Sequence, residues 1–211
     1  MTETKICGLS EPAGVAAALA GGARYLGFVF FPRSPRHVEP ARAGALAAPA
    51  RGRADTVAVT VDADDALLAA IAAALAPDWI QLHGNEPPAR VAAVRRFAGK
   101  GVIKALPIAR AEDFADAARF ADADRLLFDA KAPPGAQLPG GNGAAFDWGL
   151  LRGRTVPRPW LLSGGLTPDN VAEALRESGA GAVDVSSGVE SAPGVKDPAR
   201  ILRFLDAARS A

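Results

Sequence analysis

Two residues of this chain have the chemistry of a proton-transfer pair, and each closes an apolar run. Cys7 follows Lys5 and Ile6 just before Gly8, and Asp129 follows Leu126, Leu127 and Phe128. A thiolate is a base, and a carboxyl set in a dry pocket is a proton donor near neutrality. Plainer readings stand beside these. A lone cysteine is commonly a small buried hydrophobe, and an acidic residue ending a strand commonly caps a turn. Lys5 and Cys7 point to the same side of an extended strand, so if Cys7 lines a mouth, Lys5 lies just beneath it. A buried ammonium requires a partner, and Asp184 is the one expected. On this reading the Lys5 field lowers the Cys7 thiol pKa and makes thiolate available as a base.

A second set of residues suits an anionic ligand. Leu161 and Leu162 run into Ser163, Gly164 and Gly165, and Val183, Asp184 and Val185 run into Ser186, Ser187 and Gly188. Adjacent glycine-rich strand exits present backbone N–H groups that cradle phosphate. Between them, Pro168 suits the first turn of a helix after Thr167, with Val171, Ala174 and Leu175 at helical spacing. Arg36, beside Arg33, is either a solvated loop arginine or a grip for a carboxylate through paired hydrogen bonds. Gln81 and His83 share a face, where a satisfied core histidine or a loop cap is the plainer account of His83. Gly140, Gly141 and Gly143 either add backbone donors or make a turn.

These residues must be positioned by a repeating pattern of strand, short loop and alanine-rich helix. The strands are expected to end at Cys7, then to cover Tyr25–Phe30, Thr56–Val61, Trp79–Leu82, Gly101–Leu106 and Leu126–Asp129, followed by the Leu161 and Val183 runs. Helices are expected from Glu11 or Pro12 to Leu19, from Asp64 or Asp65 to Leu75, after Pro87 and Pro88, over Glu112–Phe120, and over Asp197–Ala208. Phe31–Val38 and the Gly- and Pro-rich Ala130–Ala145 read as long loops. Parallel strands need crossover helices, so regular alternation predicts a parallel sheet. Eight units with nothing left over favour a closed α/β architecture, a (β/α)8 TIM barrel, over an open doubly wound sheet, with phosphate at the last two strand exits.

Length and charge agree. At 211 residues the chain is near the lower size for one complete barrel, so residues 1–211 are expected to form one domain. The 24 basic and 23 acidic residues are interspersed and leave a net charge of +1, with no footprint for nucleic acid or a membrane surface. The apolar stretch Leu67–Leu75 is far short of the roughly 20 residues needed to span a bilayer, and the polar start lacks a secretion-signal core. A single cysteine with two histidines is poor metal-site material. The expectation is a cytoplasmic protein without cofactor or metal, monomeric or homodimeric.

Taken together, KICGL at Lys5–Leu9, GFVFFPRSPRHV at Gly27–Val38, IQLHGNE at Ile80–Glu86, VIKA at Val102–Ala105, LLFDAK at Leu126–Lys131, GGNGAAFDW at Gly140–Trp148, LSGGLTPDNV at Leu162–Val171 and DVSSGVE at Asp184–Glu190 resemble the phosphoribosylanthranilate isomerase family of tryptophan biosynthesis. The resemblance runs in family order from first strand to last helix. It implies an Amadori rearrangement with Asp129 as general acid and Cys7 as general base. It further implies Arg36 on the anthranilate carboxylate, and Gly164, Gly165, Ser186, Ser187 and Gly188 as a phosphate cradle joined by the glycines of the sixth-strand loop. One departure is Asn142, where the family usually has Thr or Ser. Two other readings compete. A histidine-pathway or dual-substrate isomerase resembles paired aspartates at the first and fifth strand exits, where this chain has Cys7 and Ala105 or Leu106. A non-catalytic phosphosugar-binding barrel would have no use for Cys7 and Asp129 together.

Overall fold

The computed structural model describes residues 2–132, 135, 138, 140–141, 143 and 145–211; Asn142 lies outside the described residues. Eight strands close into a parallel barrel: β1 (Glu3–Cys7), β2 (Tyr25–Phe30), β3 (Asp55–Thr60), β4 (Trp79–Leu82), β5 (Gly101–Ile108), β6 (Arg125–Ala130), β7 (Trp160–Leu162) and β8 (Ala182–Val185). The ring is sealed where Lys5 of β1 lies in register with Asp184 of β8. The strands are rich in apolar residues on both faces because both faces are covered.

Side-chain alternation separates two cores. Cys7, Val29, Val59, Ala105, Leu127 and Leu161 are among the residues filling the barrel interior. Their neighbours Ile6, Phe28, Ala58, Leu126, Phe128 and Leu162 face outward against the helices. The same inward parity holds toward the C-terminal ends of the strands, so Gln81 of β4, Asp129 of β6 and Asp184 of β8 also belong to the interior set and reach toward the C-terminal mouth. The opposite end is shut by a polar plug. Tyr25 donates to Glu3 at 2.7 Å, Arg125 pairs with Glu3 at 3.0 Å, and Trp79 Nε1 donates to Asp55 at 3.0 Å.

The described helices are α1 (Pro12–Ala20), α2 (Pro40–Ala47), α3 (Asp65–Leu75), α4 (Pro88–Val94), α5 (Val171–Ser178) and α6 (Pro198–Arg209). Proline opens α1, α2, α4 and α6, where its missing N–H costs nothing. Asp64 caps α3 by accepting from Leu67 N, and Asp197 caps α6 through Ala199 N and Arg200 N.

Several local expectations are corrected. Ala111–Phe120 is a 3₁₀ rather than an α-helix, and its buried residues Phe114, Ala117 and Phe120 recur every third position, one face of a three-residue turn. Among the described residues, the sixth crossover carries the 3₁₀ turn Trp148–Leu151 and no α-helix. Pro168 does not sit in the first turn of α5. The Asn170 carboxamide accepts from Thr167 N and donates to Gly165 O, holding the preceding segment as a turn and delaying the helix to Val171. A hairpin, β9 (Glu190–Ala192) and β10 (Val195–Lys196), stands between β8 and α6 where no strands were expected.

Candidate active site

The C-terminal mouth of the barrel opens into a cavity with about 790 Å³ of empty space, part of it continuous with solvent. Cys7, Arg36, His83, Asp129, Gly141, Gly143, Gly164, Gly165, Asp184, Ser186 and Ser187 all line it. Gln81 and Gly188 do not. Gln81 is fully buried and reaches the mouth only through His83, while Gly188 backs the cavity against the β7 exit, where an added Cβ would fall on the Leu166 carbonyl.

Cys7 and Lys5 stand one above the other as strand parity requires. A Cβ on Gly27 of β2 would lie 3.1 Å from Cys7 Sγ and 3.2 Å from Lys5 Nζ, so the absent side chain at Gly27 makes the room both occupy. Lys5 is fully buried, and its ammonium pairs with Asp184 at 2.9 Å. Asp184 also accepts from Ser163 Oγ at 3.3 Å.

The expected direction of the Cys7 shift is overturned. Burial pushes the thiol up, with Asp184 adding to the rise, and Lys5 and Lys196 pull it down only in part, so the net displacement is upward. Parity placed the ammonium correctly but not the depth of burial, which disfavours thiolate more than one neighbouring cation favours it. The same coupling holds Lys5 above the ordinary lysine value. Burial acts against its charge, but Asp184 and Cys7 outweigh it. Lys5→Met is therefore expected to move the Cys7 titration, followed by the pH dependence of thiol alkylation, still higher. Leaving Asp184 buried without its cation should also cost about 3–5 kcal/mol in denaturant unfolding.

Asp129 is held from two sides. Ala130 N donates to its Oδ1 at 3.0 Å, and its Oδ2 lies 3.2 Å from His83 Nε2. His83 Nδ1 is in turn 2.7 Å from Gln81 Nε2, while Gln81 Oε1 is buried with no partner. His83 is thus neither a core histidine nor a loop cap. Gly140 closes over this pair, since a Cβ there would come within 2.6 Å of Asp129 Oδ2. The next turn brings Gly141, at φ +73°, against the Arg36 guanidinium. Arg36 is not a solvated loop arginine. It is 6% exposed and bound by Glu190 through Nε at 2.7 Å and Nη2 at 2.9 Å.

Sequence reasoning did not single out Lys196, and named Glu190 and Gly27 only as parts of motifs; the one further signal for Glu190 and Lys196 was a charged residue on each flank of a Pro-Gly turn. At the exits of β7 and β8, no hydrogen bond among the described residues occupies the N–H groups of Gly165 or Ser187. Among the described residues no cluster of His, Cys, Asp and Glu is placed to hold a metal ion, and no helix is long and apolar enough to cross a membrane.

The family model for N-(5'-phosphoribosyl)anthranilate (PRA) isomerase matches residues 4–207. The chain belongs to the phosphoribosylanthranilate isomerase family. It is 58% identical to N-(5'-phosphoribosyl)anthranilate isomerase of Rhodopseudomonas palustris (strain BisA53) over 209 residues, 99% of this chain and 96% of the relative. The crystal structure of phosphoribosylanthranilate isomerase from Thermotoga maritima superposes with a TM-score of 0.89 at 32% identity, covering both chains completely. A phosphoribosylanthranilate isomerase solved with reduced 1-(o-carboxyphenylamino)-1-deoxyribulose 5-phosphate matches with a TM-score of 0.85 at 31% identity, also over both full lengths.

Proposed function

We infer that this isomerase converts N-(5'-phosphoribosyl)anthranilate to 1-(2-carboxyphenylamino)-1-deoxyribulose 5-phosphate at the mouth of its barrel, with Asp129 as acid and Cys7 as base. The observation that carries the reading is that Cys7, Asp129, Arg36 and two glycine-rich exits, from five different loops or strand ends, line one cavity. We assign the phosphate to Gly164, Gly165, Ser186 and Ser187, supported by the N–H groups of Gly165 and Ser187, which no hydrogen bond among the described residues occupies, and by the left-handed Gly164 and Gly165. Gly143 and Gly188 shape this end of the cavity. The anthranilate carboxylate meets the open edge of the Arg36 guanidinium.

Protonated Asp129 gives its proton to the ribose ring oxygen as the ring C1–O bond breaks and the anilino nitrogen lone pair forms the C1=N bond. The product of this step is a cationic imine. The Cys7 thiolate then takes the proton from ribose C2, and the C2–H electron pair forms an enolamine as the imine electrons return to nitrogen. Tautomerisation of the enolamine yields the ketone. The substrate supplies its own electron sink, so the reaction requires no cofactor.

A raised thiol pKa fits this order of events. Lys5 and Lys196 already act against burial at Cys7, and the imine brings another positive charge to Sγ only after ring opening. Once formed, the thiolate of a weakly acidic thiol is the stronger base. Gln81 and His83 support Asp129 in both of its protonation states. His83 Nε2–H donates to the carboxylate while Gln81 Nε2–H donates to Nδ1. With the Gln81 amide turned over, the opposite tautomer would accept from the protonated acid while donating to Gln81 Oε1.

We place the enzyme in the cytoplasm as one domain over residues 1–211, monomeric or homodimeric, acting on a small phosphorylated substrate rather than on nucleic acid or membrane. Substrate range tests the reading against the histidine-pathway and dual-substrate alternatives. Phosphoribosylanthranilate should be consumed and the imidazole-carboxamide substrate left unchanged. Turnover of the second would support a dual enzyme, and tight binding without turnover of either would support a phosphosugar-binding barrel.

A further inference from the structure

Arg36 meets the cavity already gripped by a carboxylate of its own chain. Glu190, the first residue of the β9–β10 hairpin, takes the Arg36 Nε and Nη2 hydrogens and also accepts from Lys196 Nζ at 2.6 Å and from Gly194 N at 3.2 Å. Lys196 Nζ donates onward to Ser186 O at 3.0 Å, beside the phosphate end. The hairpin is seated against the Arg36 loop by Gly194, at φ +83°, where any Cβ would fall on the Pro35 carbonyl. All three charged side chains are at most 7% exposed.

Two cations share one anion, so the trio carries a surplus positive charge in a dry setting, which is costly unless an anion joins it. Arg36 Nη1 has no partner among the described residues, and it belongs to the edge of the guanidinium left open by Glu190. The carbonyl of Gly141 lies 3.4 Å from Nη2 and closes part of the remaining space. A planar fork whose inner edge is fixed can offer its outer edge in one orientation only.

We propose that Glu190 and Lys196 are positioning residues for carboxylate recognition: Glu190 aims the open edge of Arg36 at the substrate's aromatic carboxylate, and Lys196 supplies the charge excess that this carboxylate neutralises. The proposal rests on the reading of Arg36 as the carboxylate holder. It makes the hairpin a specificity element, since an anilino substrate without the carboxylate would leave the surplus charge buried and unmatched.

The test is the affinity of the reduced product analogue compared with the same molecule lacking its phenyl carboxylate, measured by titration calorimetry. The wild type should prefer the carboxylate form. Glu190→Gln and Lys196→Met should each lower that preference about tenfold or more, as expected for weakened charge-assisted hydrogen bonds, while binding the carboxylate-free analogue nearly as the wild type does. Lys196→Arg should restore the preference, and Glu190→Gln added to Arg36→Met should lower it no further. In turnover, KM should rise more than kcat falls. Equal loss of affinity for both analogues, or unchanged preference in both variants, overturns the proposal while leaving the Arg36 assignment intact. Absence of any preference in the wild type overturns that assignment and the proposal with it. Lys196→Met with its arginine rescue keeps the test decisive if Glu190→Gln fails to fold.

Discussion

Asp129→Asn should lower kcat by about 10²–10⁴-fold, the range for loss of a positioned general acid, while still binding the reduced product analogue. The carboxamide is nearly isosteric and can keep both existing neighbours, accepting from Ala130 N and meeting His83 Nε2 at the present 3.0 and 3.2 Å spacings. It cannot release a proton to the ring oxygen, so ring opening must wait for water. The loss should appear in single-turnover decay of anthranilate fluorescence. A modest fall in kcat with a large rise in KM would instead make Asp129 a binding group.

Cys7→Ala should cost a comparable factor, and its diagnostic is the pH profile. The working form is the thiolate, and burial holds the thiol above its ordinary value. At neutral pH the resting enzyme is therefore mostly protonated at Sγ. kcat/KM of the wild type should climb with pH until it passes that raised pKa, because each added thiolate is an added base. The limb belongs to Cys7 and should vanish in Cys7→Ala. Cys7→Asp, with a base already ionised at neutral pH beside Lys5, should recover part of the rate and move the limb down. A wild-type profile flat from neutral to alkaline pH would remove Cys7 from the role.

Which features were legible in the sequence follows from how local their causes are. Apolar runs ending in glycine or a charged residue gave the strands, because burial on both faces leaves little choice of residue. Strand parity put Lys5 under Cys7 and against Asp184 without any contact information, since that alternation is fixed by the backbone. The Cys7 shift was misjudged because its sign depends on how much water is excluded, which 211 letters do not state.

Arg36 looked like a loop arginine because its partner, Glu190, is 154 residues away. The β9–β10 hairpin has strands of only three and two residues, folded around Pro193-Gly194, too short to carry an apolar alternation. The 3₁₀ segment Ala111–Phe120 had a legible spacing of three in Phe114, Ala117 and Phe120, which the helix expectation overlooked. His83 shared a face with Gln81 as read, but its contact with Asp129 links the exits of β4 and β6 over the intervening β5, and only the assembled sheet supplies that neighbour.

The most direct measurement generates phosphoribosylanthranilate in place from anthranilate and phosphoribosyl pyrophosphate with a transferase, then follows the loss of anthranilate-type fluorescence on adding the enzyme. Rapid decay with the wild type, and a rate near the no-enzyme baseline with the Cys7→Ala/Asp129→Asn double variant that still binds the reduced product analogue, is the predicted result. An inactive wild type, or a double variant that retains the wild-type rate, would contradict the assignment of this barrel mouth as the isomerase centre.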